Sequence, residues 1–273
     1  MNEAKKPKRK GTNAKLIWRH KKNDKDLQWR QSDNTIMLSD EDQAFAKSMV
    51  IIEDKTLLIL DKPSGLASQA GSGVTRDLDH LLWAFANRKG RRPKLVHRLD
   101  RETSGLVLVA QTTPGAAFFS EEFAQRRAKK TYYAIIAGVP KTSKGITNVP
   151  LKRARVKGVD LAIVASVNDK NGQEAITDYE VISSTEKASL IKLSPRTGRM
   201  HQLRAHLTHL GFPIVGDTKY GGLLALGNIA VPRLMLHAHT LEIAMPEGGS
   251  RAFSVELAND MKTLMSELGL RDE

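Results

Sequence analysis

The densest set of chemically capable side chains lies in Leu95–Ala110, LVHRLDRETSGLVLVA. His97, Arg98, Asp100, Arg101 and Glu102 stand between two apolar runs, just before a Thr-Ser-Gly turn. A loop anchored by core strands can fix a carboxylate while leaving it reachable, so Asp100 is a candidate nucleophile or base. A charged loop closed by its own salt bridges would have the same composition. Ser104 does not read as a hydrolase nucleophile, because G-x-S-x-G is absent.

A second candidate segment is SPRTGRMHQLRAHLTHLG at 194–211. A helical projection gathers Met200, Leu203, Leu207 and Leu210 into an apolar stripe and puts His201 and Arg204, three apart, together on another face. His206 falls roughly 140° from His201 at about 100° per residue. There is no H-E-x-x-H and no carboxylate within the helix, so these histidines do not read as metal ligands. In a third segment, KKTYYAIIAG at 129–138, Tyr132 and Tyr133 alternate on a strand, so one faces the core and the other is available to a cleft, unless both are structural.

The elements that must position these groups begin near residue 49. VIIEDKTLLILDKPSGL reads as two short strands and a Lys-Pro-Ser-Gly turn. DLDHLLWAFANR follows as an amphipathic helix, SGLVLVAQT as a strand, and PGAAFFSEEFAQRRAKK as a helix with Pro114 in its first turn. Strands at KTYYAIIAGV, AITDYEVI and ASLIKLSP precede the helix closed by Gly211. PRLMLHAHTLEIAMP pairs with RAFSVEL, and NDMKTLMSEL is a last helix. Strands and helices without regular alternation predict an α+β fold with a mixed, mainly antiparallel sheet flanked by helices.

The 273 residues carry a net charge of +13, and residues 1–30 alone hold 11 basic and 3 acidic side chains, a net +8. A basic tail raises affinity for a polyanion by counterion release. Residues 1–48 read as a basic, largely disordered extension and 49–273 as one domain. The absence of cysteine excludes disulfides, thiol nucleophiles and thiolate zinc sites. No apolar run approaches the roughly 18 residues of a membrane span, and the N-terminus lacks the apolar region of a signal peptide. A cytoplasmic monomer without membrane contact is expected.

KPSGL at 62–66, HRLDRETSGLVLVA at 97–110, KKTYYAIIAG at 129–138, TGRMHQLRAHLTHLGFPIVGDTKYGG at 197–222 and RLMLHA at 233–238 occur in the order of a known family. Over about residues 50–257 the chain resembles the RNA pseudouridine synthases of the RluA family. The resemblance implies a pseudouridine synthase fold with a central cleft, and isomerisation of uridine to pseudouridine in structured RNA without cofactor or metal. It places the catalytic aspartate at Asp100, the active-site tyrosine at Tyr132 and the motif arginine at Arg204. An aspartate in that role attacks the sugar or the base, or deprotonates a glycal-like intermediate. Arg98 matches the position that fills the space of the extruded base, and Lys62, His97, Lys130, Arg199, His201 and Gln202 are expected RNA contacts. Met200 stands where the family usually has Thr or Ser. The loops are more similar to members acting on 23S rRNA than to those acting on tRNA. The alternatives are a noncatalytic RNA-binding or ribosome-assembly protein on the same fold, or tRNA rather than rRNA as substrate.

Overall fold

In a computed structural model of the chain, residues 27–29, 36–70, 76–166 and 168–272 are described. Most of the basic tail lies outside them, and with it the expectation of disorder there. The expected boundary at residue 49 does move. Asp40–Ser48 forms a helix (α1), capped by the Ser39 hydroxyl, which accepts the Asp42 N–H. Its Ala46 is fully buried and Phe45 packs on the core, so the domain begins before α1. The apolar face of α1 is only Phe45, Ala46 and Met49, too sparse a pattern to read in a polar stretch.

Strands β1 (Val50–Glu53), β2 (Leu57–Lys62) and β3 (Ser104–Ala110) form one side of the molecule. Helix α2 (Thr113–Ala124) follows, with Thr112 capping Gly115 and Pro114 in its first turn. Then come β4 (Lys129–Ala137), β5 (Lys144–Thr147), β6 (Leu151–Val156), β7 (Val159–Val164), β8 (Thr177–Ser184) and β9 (Ala188–Pro195). Helix α3 (Gln202–His209), β10 (Leu236–Ala244), β11 (Ser250–Ser254) and α4 (Asn259–Leu268) complete the domain. The main path of the largest sheet runs β1-β2-β3-β10-β4-β9-β8-β5, with β11 on β10 and Lys94–Leu95 on β3. Every pairing in it is antiparallel except β3 with β10, so the α+β expectation holds.

The strand compositions explain the layering. In β2 and β3 the unbroken runs LLIL and LVLVA are buried on both faces. Leu57, Ile59, Leu106 and Leu108 meet Phe119 of α2, while Leu58, Leu60, Val107 and Val109 meet the 78–85 segment and α1. Across β10, Ile135, Leu190 and Ile191 pack with Leu203 and Leu207 of α3 and Met261, Leu264 and Leu268 of α4. The parallel β3–β10 pairing that joins these halves consists of two residue pairs, His237 with Ser104 and Ala238 with Gly105. Gly105 has φ +109°, and a Cβ there would run into the Ala238 carbonyl, so only glycine lets the strands close.

Two expectations need correction. The 78–85 helix is one α turn, Leu78–Leu81, tightening to a 3₁₀ turn over Leu82–Phe85. Only Leu78, Leu81 and Leu82 are fully buried, and this short face docks without needing longer helix. The β6–β7 hairpin, turned at Lys157 and Gly158 with φ of +48° and +80°, had no forecast. Among the described residues no helix is long and apolar enough to cross a membrane.

Candidate active site

Asp100 sits at the centre of a loop sewn to the Lys62–Leu66 turn. Ser64 donates to Glu102 O at 2.6 Å, and Gly65 N–H donates to Arg101 O at 2.8 Å. Ser68 donates to Leu99 O at 2.7 Å and its hydroxyl oxygen accepts the Leu99 N–H at 3.1 Å. Leu99 beside it is buried, so the loop backbone is held on both flanks of the carboxylate.

Lys62 is the internal tie of this pair of loops, which corrects its expected role in RNA contact. It is 0% exposed, and its ammonium donates to the carbonyls of Pro63, Leu66 and Arg101 at 2.9, 2.8 and 3.3 Å. Burial pulls its pKa down to about 7, against the pull of Asp100 and Glu102. Gln202 is likewise no surface contact. Its amide donates to Ile176 O and Thr177 Oγ1, both at 3.0 Å, and accepts from the Thr197 hydroxyl and the Arg199 N–H. Such a buried amide, with every group partnered, shapes the turn before α3.

Arg204 is brought to Asp100 from the other half of the molecule. Its Nε and one terminal nitrogen donate to the two oxygens of Asp217, both at 2.7 Å, and the pair is buried. The remaining nitrogen has no hydrogen-bond partner and stands 3.8 Å from oxygens of both Asp100 and Glu102. Burial works against the guanidinium's charge, yet the Asp217 bonds and the other two carboxylates hold its pKa above the ordinary value. His201 Nε2 also lies 3.8 Å from Asp100, so His201 and Arg204 do present together. The expected apolar stripe is shorter than its projection: Leu203 and Leu207 are buried, whereas Met200 and Leu210 are exposed beyond the ends of α3. His206 turns inward, to Thr177 Oγ1 and Val149 O, away from His201.

These groups border a cleft of about 800 Å³ between the halves. Tyr132 lines it, and burial, then the Asp100 charge, raise the phenol above its ordinary pKa, so it is neutral. Tyr133 points away and meets His239 edge to face. Arg98, Arg101, Arg126, Lys130 and Arg199 line the same cleft, and Asp100 is the one carboxylate among its lining residues. Arg98 is exposed at the rim, 3.3 Å from Gln69 Oε1, and Arg199 donates to Glu174 O at 2.9 Å. Burial lowers the pKa of Lys130. His97 is a wall rather than a polar contact. Its Nε2 accepts the Leu108 N–H at 2.9 Å, its ring stacks on Phe123, and burial takes its pKa to about 3. The arrangement confines a carboxylate, a neutral phenol and an arginine in a positive cleft suited to a polyanion.

Residues 56–209 match the domain model described as RNA pseudouridylate synthase, more than half of the chain. The chain belongs to the RNA pseudouridylate synthase family. An RNA pseudouridine synthase of Zymomonas mobilis, named as uncharacterized, is 40% identical over 72% of this chain and 88% of its own length. The ribosomal large subunit pseudouridine synthase C of Vibrio parahaemolyticus is 36% identical over 72% of this chain and 62% of its own length. The solved structure of human RNA pseudouridylate synthase domain containing 4 superimposes with a TM-score of 0.72 at 28% identity, covering 85% of this chain and 98% of that one. Members of this pseudouridine synthase family are isomerases, and the fold expected from the motifs is the fold found.

Asp217, Tyr220 and Lys219 had been given no role. Their segment, VGDTKYGG, carries its one carboxylate, Asp217, in a glycine-flanked turn. Its partner Arg204 is a tertiary matter that spacing does not reveal.

Proposed function

We propose that the chain isomerises uridine to pseudouridine in large-subunit ribosomal RNA, with Asp100 as the catalytic carboxylate. The observation that supports this best is Asp100 standing 3.8 Å from the Arg204 guanidinium in a cation-lined cleft that Tyr132 also lines. The target nucleotide leaves its stack to enter, at a cost of a few kcal/mol, and its uracil lies against Tyr132. The N1–C1′ bond breaks, the uracil turns, and C5 bonds to C1′ while the C5 proton is lost to solvent and N1 regains one. Asp100 serves as nucleophile or as the base of this exchange, and the Tyr132 phenol is placed to carry a proton near C5. Arg98 enters the vacated stack. The names of relatives, ribosomal synthase C among them, favour rRNA over tRNA, and the reading places the protein in the cytoplasm as a monomer.

The test is tritium release from RNA labelled at uridine C5, with rRNA and tRNA pools assayed separately. Wild type is expected to release tritium from rRNA, and Asp100→Asn from neither pool. Release by both proteins would remove Asp100 from the chemistry. RNA binding without release by wild type would favour a ribosome-assembly protein on this fold.

A further inference from the structure

His201 holds an unusual position. It is the residue before α3, with φ +49° and ψ +23°, a left-handed conformation uncommon among non-glycine residues. Its ring is placed by two contacts. Nδ1 lies 3.0 Å from the Tyr220 hydroxyl, and Nε2 lies 3.8 Å from Asp100 Oδ2. The Tyr220 ring meets the imidazole edge to face at 5.6 Å.

The hydroxyl of Tyr220 has a second partner that fixes its polarity. It accepts the backbone N–H of Ala162 from β7 at 2.8 Å. With that lone pair occupied, its one proton is free to donate to Nδ1, whereas a protonated Nδ1 would leave the half-buried hydroxyl proton without an acceptor. The carboxylate facing Nε2 accepts only, so both ends of the ring demand the same tautomer.

We propose that Tyr220 is a positioning residue that places the His201 proton on Nε2, so that His201 presents an N–H to Asp100 as substrate enters. Tyr220 is itself held by Asp217, whose Oδ1 accepts the Tyr220 and Lys219 N–H groups at 3.1 Å each. Asp217 therefore sets both nitrogen donors that face Asp100, Arg204 directly and His201 through Tyr220. Burial lowers the imidazole's pKa, while the surrounding charges are Asp100 and Asp217 on one side of the balance and Arg204 and Lys219 on the other. Because Ala162 belongs to the β6–β7 hairpin, the hairpin's seating also bears on this proton. The inference about donation rests on the catalytic reading of Asp100, whereas the tautomer does not.

The wild-type protein, labelled with 15N-histidine, is examined by long-range 1H–15N correlation, which distinguishes a protonated from an unprotonated ring nitrogen. His201 is expected with its proton on Nε2, and Tyr220→Phe is expected to give a mixture of tautomers. In the tritium-release assay, His201→Gln, whose amide reaches the Nε2 position, should retain at least about tenfold more kcat than His201→Asn, whose amide mimics Nδ1. KM for RNA should be alike in the two, about tenfold being the value of one positioned donor. A proton on Nδ1 in wild type overturns the tautomer assignment. Equal losses in the Gln and Asn variants overturn the donor role. An Nε2 proton together with full activity of Asp100→Asn overturns the catalytic reading and leaves the tautomer standing.

Discussion

Asp217→Asn changes one atom in a buried ion pair, and its cost follows from the geometry. Asp217 is fully buried and Arg204 nearly so. Oδ1 accepts from Arg204, Lys219 and Tyr220, and Oδ2 accepts from Arg204 Nε at 2.7 Å. The asparagine oxygen can replace only one of these. If it keeps the threefold Oδ1 position, its NH₂ faces the Nε–H donor to donor. Breaking one partner of a buried pair costs about 3–5 kcal/mol. The free Arg204 nitrogen retains Asp100 and Glu102 at 3.8 Å, which compensates part of the stranded charge and favours the lower end, about 3 kcal/mol. For a domain of this size the melting temperature should fall by about 6–12 °C. Replacing both partners, Arg204→Met with Asp217→Asn, removes both buried charges while the asparagine oxygen still accepts the Lys219 and Tyr220 N–H groups, and should cost less stability than Asp217→Asn alone while abolishing tritium release. Urea and thermal melts of the three proteins are the assay. A melting temperature for Asp217→Asn within about 2 °C of wild type would refute the claim that this pair is a buried, mutually dependent charge pair.

Gly216→Ala should prevent stable folding, because φ is +78° and a Cβ would overlap the Arg233 carbonyl; recovery of folded, cooperatively melting protein would contradict this. Lys62 titrates near 7 when folded and near 10.5 when unfolded. Between those values the unfolded chain binds the extra proton, so this group's contribution makes stability rise with pH across that window, and Lys62→Met should flatten the slope measured by urea melts. Arg98→Ala should reduce tritium release from folded rRNA by about tenfold or more and from short single strands far less, since only the former must close over a vacated stack. Deleting residues 1–30 removes a net +8 and should weaken RNA binding and lower its salt dependence, read as the slope of log affinity against log salt.

What was legible in the sequence was whatever the chain keeps local. The apolar runs of β2 and β3 and the 97–110 motif showed both the strands and the loop that Asp100 occupies. Lys62 and Gln202 are buried polar side chains, and nothing local in the sequence distinguishes them from surface groups. Their burial is stabilised by backbone carbonyls and neighbouring side chains whose proximity is tertiary. The same holds for His97, whose partner is a backbone N–H eleven residues on. The β6–β7 hairpin was missed because Lys-Gly is a weaker turn signal than Asn-Gly and its cations hide the alternation. Arg204 was found by motif, but the residue that aims it, Asp217, was not, because aiming is a property of packing.

The two-pair seam between β3 and β10 divides the site as well as the sheet. Asp100 and Glu102 arrive from one core, Arg204, His201 and Asp217 from the other, and neither core holds a reactive set alone. The first core is itself completed by C-terminal strands, since Leu241, Ile243, Phe253 and Val255 pack with Leu57, Leu106 and Phe119. The candidate site is therefore assembled only when residues far apart in the chain have met. Gly105 is the narrow point on which that meeting depends, because a Cβ there would overlap the Ala238 carbonyl across the seam.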